Sequence, residues 1–259
     1  MKPSRNFEDL VELVAILRRD CPWDRKQTHK SIKDNLIEEA YEAIEAIDDG
    51  DFDEFKKELG DLMLHVVFHA NMAAETEHFE IGDVIYTLMD KLIRRHPHVF
   101  GEIIVEDDGE VAENWENIKL SEGKKSTLDG LPAHLPALIR AQRMQEKVAN
   151  VGFDWPEWRQ SWHKLEEELA EFKETLKRNE LQKSAEEFGD LLFSMVNVAR
   201  FFELSAEDSL RQTNKKFEQR FRYVEEQLKK QGKPLKKATL EEMDFLWEES
   251  KTALSGHAS

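Results

Sequence analysis

Glu38-Glu39-Ala40-Tyr41-Glu42, followed by Glu58-Leu59-Gly60-Asp61, decides how this 259-residue chain is read. The two-part pattern returns as Glu167-Glu168-Leu169-Ala170-Glu171 and Glu187-Phe188-Gly189-Asp190, with the same gap between its parts. Residues three apart share a helix face, so Glu39 projects with Glu42 and Glu58 with Asp61. In an antiparallel helical hairpin, residues equidistant from the turn stand level. Glu39 and Asp61 are equidistant from Gly50, and so are Glu42 and Glu58. Gly50 lies in Asp48-Asp49-Gly50-Asp51, and glycine ends helices while Asp starts them. In the second copy the midpoint is Asn179, the residue type next most tolerant of a left-handed cap. Each copy is therefore expected to aim four carboxylates at one level of a two-helix groove. The flanks are apolar at helical spacing: Ile37, Tyr41, Ile44, Ile47, Leu59, Leu62 and Val66, then Leu165, Leu169, Phe172, Phe188, Leu191, Leu192 and Met195.

Carboxylates this close repel and raise one another's pKa, and protonation or a bound cation relieves them. Oxygen ligands suit Mg²⁺, with Mn²⁺ the alternative, better than Zn²⁺, which prefers His and Cys. A lone EExxE in so acidic a chain is an ordinary solvated face. The matched repeat is what favours the metal.

The chain is long enough for two domains. Its net charge of −17 excludes wrapping a nucleic-acid polymer, which needs a basic face, but allows a nucleotide held through metal ions. Cys21 is the sole cysteine, so no intrachain disulfide forms. Residues 1–10 carry charges where a signal peptide needs an apolar run, and no segment is apolar enough to span a bilayer. A cytoplasmic protein without membrane partners is expected.

Helical periodicity dominates, with helices expected over 7–19, 31–47, 52–75, 81–95, 137–149, 210–230 and 240–254. The texture changes over 101–136, where one short helix is expected around 111–120. The order then restarts: 137–149 matches 7–19, and Gly152-Phe153-Asp154-Trp155 stands where Cys21-Pro22-Trp23-Asp24 stood. The expected fold class is all-α, a tandem repeat of two helical bundles: residues 1–100, a connection over 101–136, and residues 137–259.

A basic helical segment follows each hairpin. Lys91 and Arg95 are four apart in the first, Lys216 and Arg220 in the second, so each pair shares a face. Near a metal they could clamp phosphates; the alternative is a salt-bridged exposed face. Trp247 could stack on a base or pack in the core. Trp23 and Trp155 are expected to pack at the starts of helices. His65, His69 and the ExxH of Glu75-Thr76-Glu77-His78 hint at a di-iron bundle. The second copy has Ser194 and Val198 at the histidine positions and no ExxH in step, which argues against it.

Together with the acidic motifs, Cys21-Pro22-Trp23-Asp24, Arg95-His96-Pro97-His98-Val99-Phe100, Arg140-Ala141-Gln142 and Val151-Gly152-Phe153-Asp154-Trp155 resemble the MazG family of nucleoside triphosphate pyrophosphohydrolases over nearly the whole chain. The acidic motifs alone mark a wider superfamily that includes dimeric dUTPases and dCTPases. The resemblance implies a homodimer that converts a nucleoside triphosphate and water to the monophosphate and pyrophosphate with Mg²⁺. It implies Glu168, Glu171, Glu187 and Asp190 as metal ligands, and Glu39, Glu42, Glu58 and Asp61 as those of the first copy. It makes Glu167, and by repetition Glu38, the acid that orients or deprotonates water. Lys164, Lys216 and Arg220 would meet the phosphates and Trp247 the base, with Lys91 and Arg95 as first-copy counterparts. Both copies are intact by motif; the resemblance favours the second. No GxxxxGK[ST] loop and no nucleophilic triad context occur, so direct water attack at the α-phosphate is expected. A narrow dUTPase-like or dCTPase-like enzyme and a non-enzymatic, magnesium-binding helical regulator are the alternatives.

Overall fold

The computed structural model describes residues 1–105, 109–111, 115, 118 and 126–254, and among these there are helices but no strand. The chain forms two compact units, Met1–Trp115 and Glu116–Ser259. The short helix expected around 111–120 lies largely outside the described residues.

The first unit holds α1 (Phe7–Asp20), α2 (Lys33–Asp49), α3 (Phe52–Ala74), α4 (Ile81–Arg95) and the short α5 (Pro97–Phe100). A 3-10 turn at Asp24–Lys26, not anticipated from sequence, follows Cys21-Pro22-Trp23. Helices α2 and α3 form the hairpin, and α1 and α4 both pack on α3. Gly50 ends α2 with φ at +67°, a left-handed conformation that a side chain rarely adopts. Asp51 then caps α3, its side chain accepting from the N–H groups of Asp53 at 3.1 Å and Glu54 at 3.0 Å. Helix α2 starts at Lys33, not Ser31, because Ser31 closes a turn with Thr28 and Gln27 instead. Pro97 does stop α4, and its preset φ also starts α5.

The core of this unit is Val14 from α1, Ile32, and Val67, Phe68 and Met72 from α3, flanked by Phe7, Leu10, Val11 and Ile81. Arg18 ties α1 to the end of α3. Its Nε and NH2 donate to the two carboxylate oxygens of Glu75 at 2.7 and 3.0 Å, and NH1 donates to the carbonyls of Gln27, at 2.9 Å, and Asp24. Lysine cannot form this fork. Arg18→Lys is expected to lower stability by about 1–3 kcal/mol in urea unfolding, since a single ammonium cannot reach all four acceptor oxygens that the guanidinium serves. Glu75 is thereby committed to Arg18, which removes it as the ligand an ExxH di-iron motif would need.

The second unit holds α6 (Ala137–Ala149), α7 (Trp158–Lys177), α8 (Leu181–Phe201), α9 (Ala206–Lys230) and α10 (Leu240–Leu254). Helices α7 and α8 form the hairpin, α6 and α9 pack on α8, and α10 packs on α9. Asn179 makes the turn with φ at +55°. Helix α9 begins four residues before the position expected from periodicity, because the Ser205 hydroxyl accepts from the Asp208 N–H at 3.2 Å and caps it there. Val224 and Leu228 of α9 pack with Leu246 of α10, and Trp247 lies against them. Arg200 of α8 forks onto Asp154 at 2.5 and 2.9 Å, so in each unit a carboxylate–arginine tie joins the chain at or just beyond the end of the first helix to the end of the third.

One expectation about packing fails. Trp23 and Trp155 are both exposed. The large apolar flanks of the first hairpin, Ile37, Tyr41, Ile44, Ile47, Leu59 and Val66, are exposed too, while Ala43 and Ala46 are buried. Helices packing on alanines approach closely and turn their larger neighbours outward.

Candidate active site

Each hairpin brings its acids together at the level the turn dictates. In the first unit Glu39 from α2 and Glu58 and Asp61 from α3 each place a carboxylate oxygen within 4.8 Å of the others. Glu58 is the buried member, 7% exposed, and its Oε2 has no hydrogen-bond partner. Burial, and then the charges of Glu42, Glu39, Glu54 and Asp61, push the Glu58 carboxyl up to about 7. Burial foremost, then Asp61 and Glu42, also raises Glu39. Glu42 acts on the set through its charge without joining the three closest oxygens, and Glu38 is exposed outside that set.

In the second unit Glu168 belongs to two groups: with Glu187 and Asp190 across the hairpin, and with Glu167 and Glu171 along α7, each within 4.8 Å. Glu168 is the buried acid, so the deeply placed glutamate comes from the first helix here and from the second helix in the other unit. Burial, then Glu171, Glu168 and Asp190, raises the Glu187 carboxyl, which also shares a hydrogen bond with Glu171. Lys164, one turn before Glu168, ion-pairs with both Glu167 and Glu168 at 2.7 Å. Those carboxylates hold its ammonium well above the usual lysine range. The first unit has Asn35 at the corresponding place.

Histidines replace the lysine as the distinctive neighbours of the first set. His65, one turn after Asp61, lowers the Glu39 pKa through its charge. His65, His69 and His29 form a stack, with ring centroids 6.1 and 5.1 Å apart and the Nδ1 atoms of His29 and His69 at 2.8 Å. Burial, then His29 and His65, holds the His69 imidazole below its usual range.

The basic residues sit on the helix after each hairpin. Arg220 of α9 lies over the Trp247 ring, 5.8 Å from its centroid, and Lys216 is exposed one turn earlier. Arg95 of α4 lies over the Trp115 ring at 5.4 Å, and Lys91 is half-buried one turn before it. Trp115 escaped the sequence reading because it and Trp247 stand at unequal distances from their arginines.

A model of the MazG nucleotide pyrophosphohydrolase domain matches residues 27–100 and 159–224, so each match contains one carboxylate hairpin. The chain is 48% identical over 250 residues to the nucleoside triphosphate pyrophosphohydrolase/pyrophosphatase MazG of Thermotoga maritima, covering 95% of both chains. It is 43% identical over 257 residues to the nucleoside triphosphate pyrophosphohydrolase of Escherichia coli K12, covering 95% of this chain and 98% of the other. It is 46% identical over 251 residues to the uncharacterized protein YabN of Bacillus subtilis, covering 95% of this chain and 51% of the other.

Proposed function

The chain belongs to the MazG nucleotide pyrophosphohydrolase family, and from that premise we propose that it hydrolyses nucleoside triphosphates to monophosphate and pyrophosphate at its carboxylate hairpins. The observation that carries the site assignment is Glu168, buried in a hairpin groove with Glu187 and Asp190 within 4.8 Å.

The residues present fit a divalent cation. The donor set is all oxygen, and Glu58 Oε2 is buried with no partner in a group pushed up to about 7. Glu168, Glu171, Glu187 and Asp190 would hold Mg²⁺ or Mn²⁺ in the second unit, and Glu39, Glu42, Glu58 and Asp61 in the first. When bound, Mg²⁺ neutralises charge on the phosphate chain and makes water a better nucleophile. Lys164, Lys216 and Arg220 supply positive charge for the substrate phosphates, and Trp247 supplies a face for the base. Glu167, with Glu38 its first-unit counterpart, takes the proton from the attacking water. The water oxygen bonds to the α-phosphorus, the bond to the bridging α–β oxygen breaks, and pyrophosphate leaves. Incubation with each nucleoside triphosphate and Mg²⁺ is expected to yield pyrophosphate and monophosphate in equal amounts; diphosphate and orthophosphate would contradict the reading.

The raised acids give the metal-free protein a pH signature. Glu58 binds its proton more tightly folded, at about 7, than at its ordinary value of 4.5. Its contribution to stability is complete below the ordinary value and is lost as pH rises through about 7. In chelator the melting temperature is expected to fall across that window, and Mg²⁺ is expected to abolish the fall. A melting curve with the same pH dependence in both conditions would sink the cation assignment for the first unit.

The exposed apolar residues of the first hairpin support a homodimer in which a second copy covers them. Equilibrium sedimentation should return twice the chain mass; a monomer at all concentrations would contradict it. Among the described residues no helix is long and apolar enough to cross a membrane, and Cys21 is a free thiol, which accords with a reducing, cytoplasmic setting.

A further inference from the structure

Three imidazoles meet in the first unit, and the hydrolase reaction gives them no task. His65 and His69 stand four apart on α3, so they share a face, the spacing at which one helix offers two nitrogens to one ion. His29 comes from the turn before α2, and its Nδ1 lies 2.8 Å from the Nδ1 of His69. Ring centroids are 5.1 Å apart for His29 and His69, and 6.1 Å apart for His65 and His69. On a tetrahedral ion bound at about 2.0–2.1 Å, two ligand nitrogens stand about 3.3 Å apart and their ring centroids about 5 Å apart. The His29–His69 pair thus already has nearly the spacing of two ligands. The two Nδ1 atoms share one proton, whose place a cation can take. Nδ1 of His65 is buried without a hydrogen-bond partner, which is costly unless something binds it. Burial, then His29 and His65, keeps the His69 imidazole uncharged near neutral pH, as a ligand must be. In the same register the second unit has Trp158, Ser194 and Val198, and no imidazole.

We propose that His29, His65 and His69 form a transition-metal site that takes Zn²⁺, distinct in its donors from the carboxylate set that suits Mg²⁺. The proposal does not depend on the hydrolase reading. Neutral nitrogens suit Zn²⁺, whereas Mg²⁺ takes oxygen. Three protein ligands leave a fourth position for water. The ion pins the turn at His29, which leads into the core residue Ile32, to the middle of α3, so its binding stabilises the folded unit. The alternative is a ring stack that only packs and hydrogen-bonds, which predicts that zinc leaves these rings untouched.

The test is titration calorimetry on the untagged full chain with Zn²⁺ in excess Mg²⁺, which occupies the carboxylate sets. The wild type is expected to bind one Zn²⁺ per chain and to melt at a higher temperature with it. His29→Gln and His69→Gln are each expected to weaken binding by at least about 100-fold, since replacing even a partner of a ligand costs about 10–100-fold. Glu58→Gln should keep the zinc site. Co²⁺ used in place of Zn²⁺ should give the visible absorption of a nitrogen-ligated ion in the wild type and not in His29→Gln. No zinc bound in excess Mg²⁺, affinity unchanged in either histidine variant, or binding lost in Glu58→Gln overturns the proposal. If the histidine variants do not fold, nitrogen NMR of the wild type decides. Zinc should shift the ring nitrogens of His29, His65 and His69 together, and shifts confined to other histidines overturn the proposal.

Discussion

Pyrophosphate release by a Glu58→Gln, Glu168→Gln double variant is expected to fall by about 10²–10³-fold or more at saturating Mg²⁺. These two acids are the buried members of their sets, so their charge is the least screened by water and the most available to a cation. Glutamine keeps the volume and leaves one oxygen, so the hairpin stays filled. In the first unit the change also removes a buried, raised carboxyl from among four other acids. The metal-free variant should therefore melt no lower than wild type at pH values above about 7. In the second unit Lys164 loses its Glu168 partner but keeps Glu167. A well-folded protein without turnover is the expected result. Each single variant then apportions the activity between units, with the larger loss expected from Glu168→Gln. Undiminished turnover in the double variant would show that these carboxylates do not serve the reaction.

Phe68→Ala is expected to cost about 3–5 kcal/mol in urea unfolding. The ring is 5% exposed and packs with Val14, Ile32, Val67 and Met72, the cluster that holds α1 to α3. It also lies beneath the Arg18 guanidinium at 5.8 Å, so the cavity left by alanine removes a wall from the Arg18–Glu75 fork. Phe68 follows Glu58 and Asp61 on the same helix, so loosening α3 should also weaken cation binding in the first unit. Phe52→Ala is the control: that ring is 81% exposed, and its removal should change stability by no more than about 0.5 kcal/mol. Equal costs for the two variants would show that the cluster does not anchor α3.

The carboxylate hairpins were legible because two constraints coincide in the sequence. Helical spacing pairs the acids, and the midpoint of each pairing falls on a residue that accepts a left-handed backbone, Gly50 or Asn179. Helices α4, α6 and α10 were equally plain, since each is a single amphipathic run with sharp ends. Spacing could not show which acid in each set is buried. That depends on the helices packed behind the hairpin, and the answer is Glu58 on α3 in one unit and Glu168 on α7 in the other. Nor could it show that Ala43 and Ala46 face inward while Ile37 and Ile47 face out, because periodicity marks an apolar face without saying what covers it. The exposed Trp23 and the Arg95–Trp115 contact were hidden for the same reason: both are decided by contacts outside their own helix.

The most direct measurement follows the oxygen atom. Nucleoside triphosphate is hydrolysed with Mg²⁺ in heavy-oxygen water, and the products are weighed by mass spectrometry. Attack by water at the α-phosphorus predicts one heavy oxygen in the monophosphate and none in pyrophosphate. Heavy oxygen in pyrophosphate, or formation of diphosphate with labelled orthophosphate, would contradict the account.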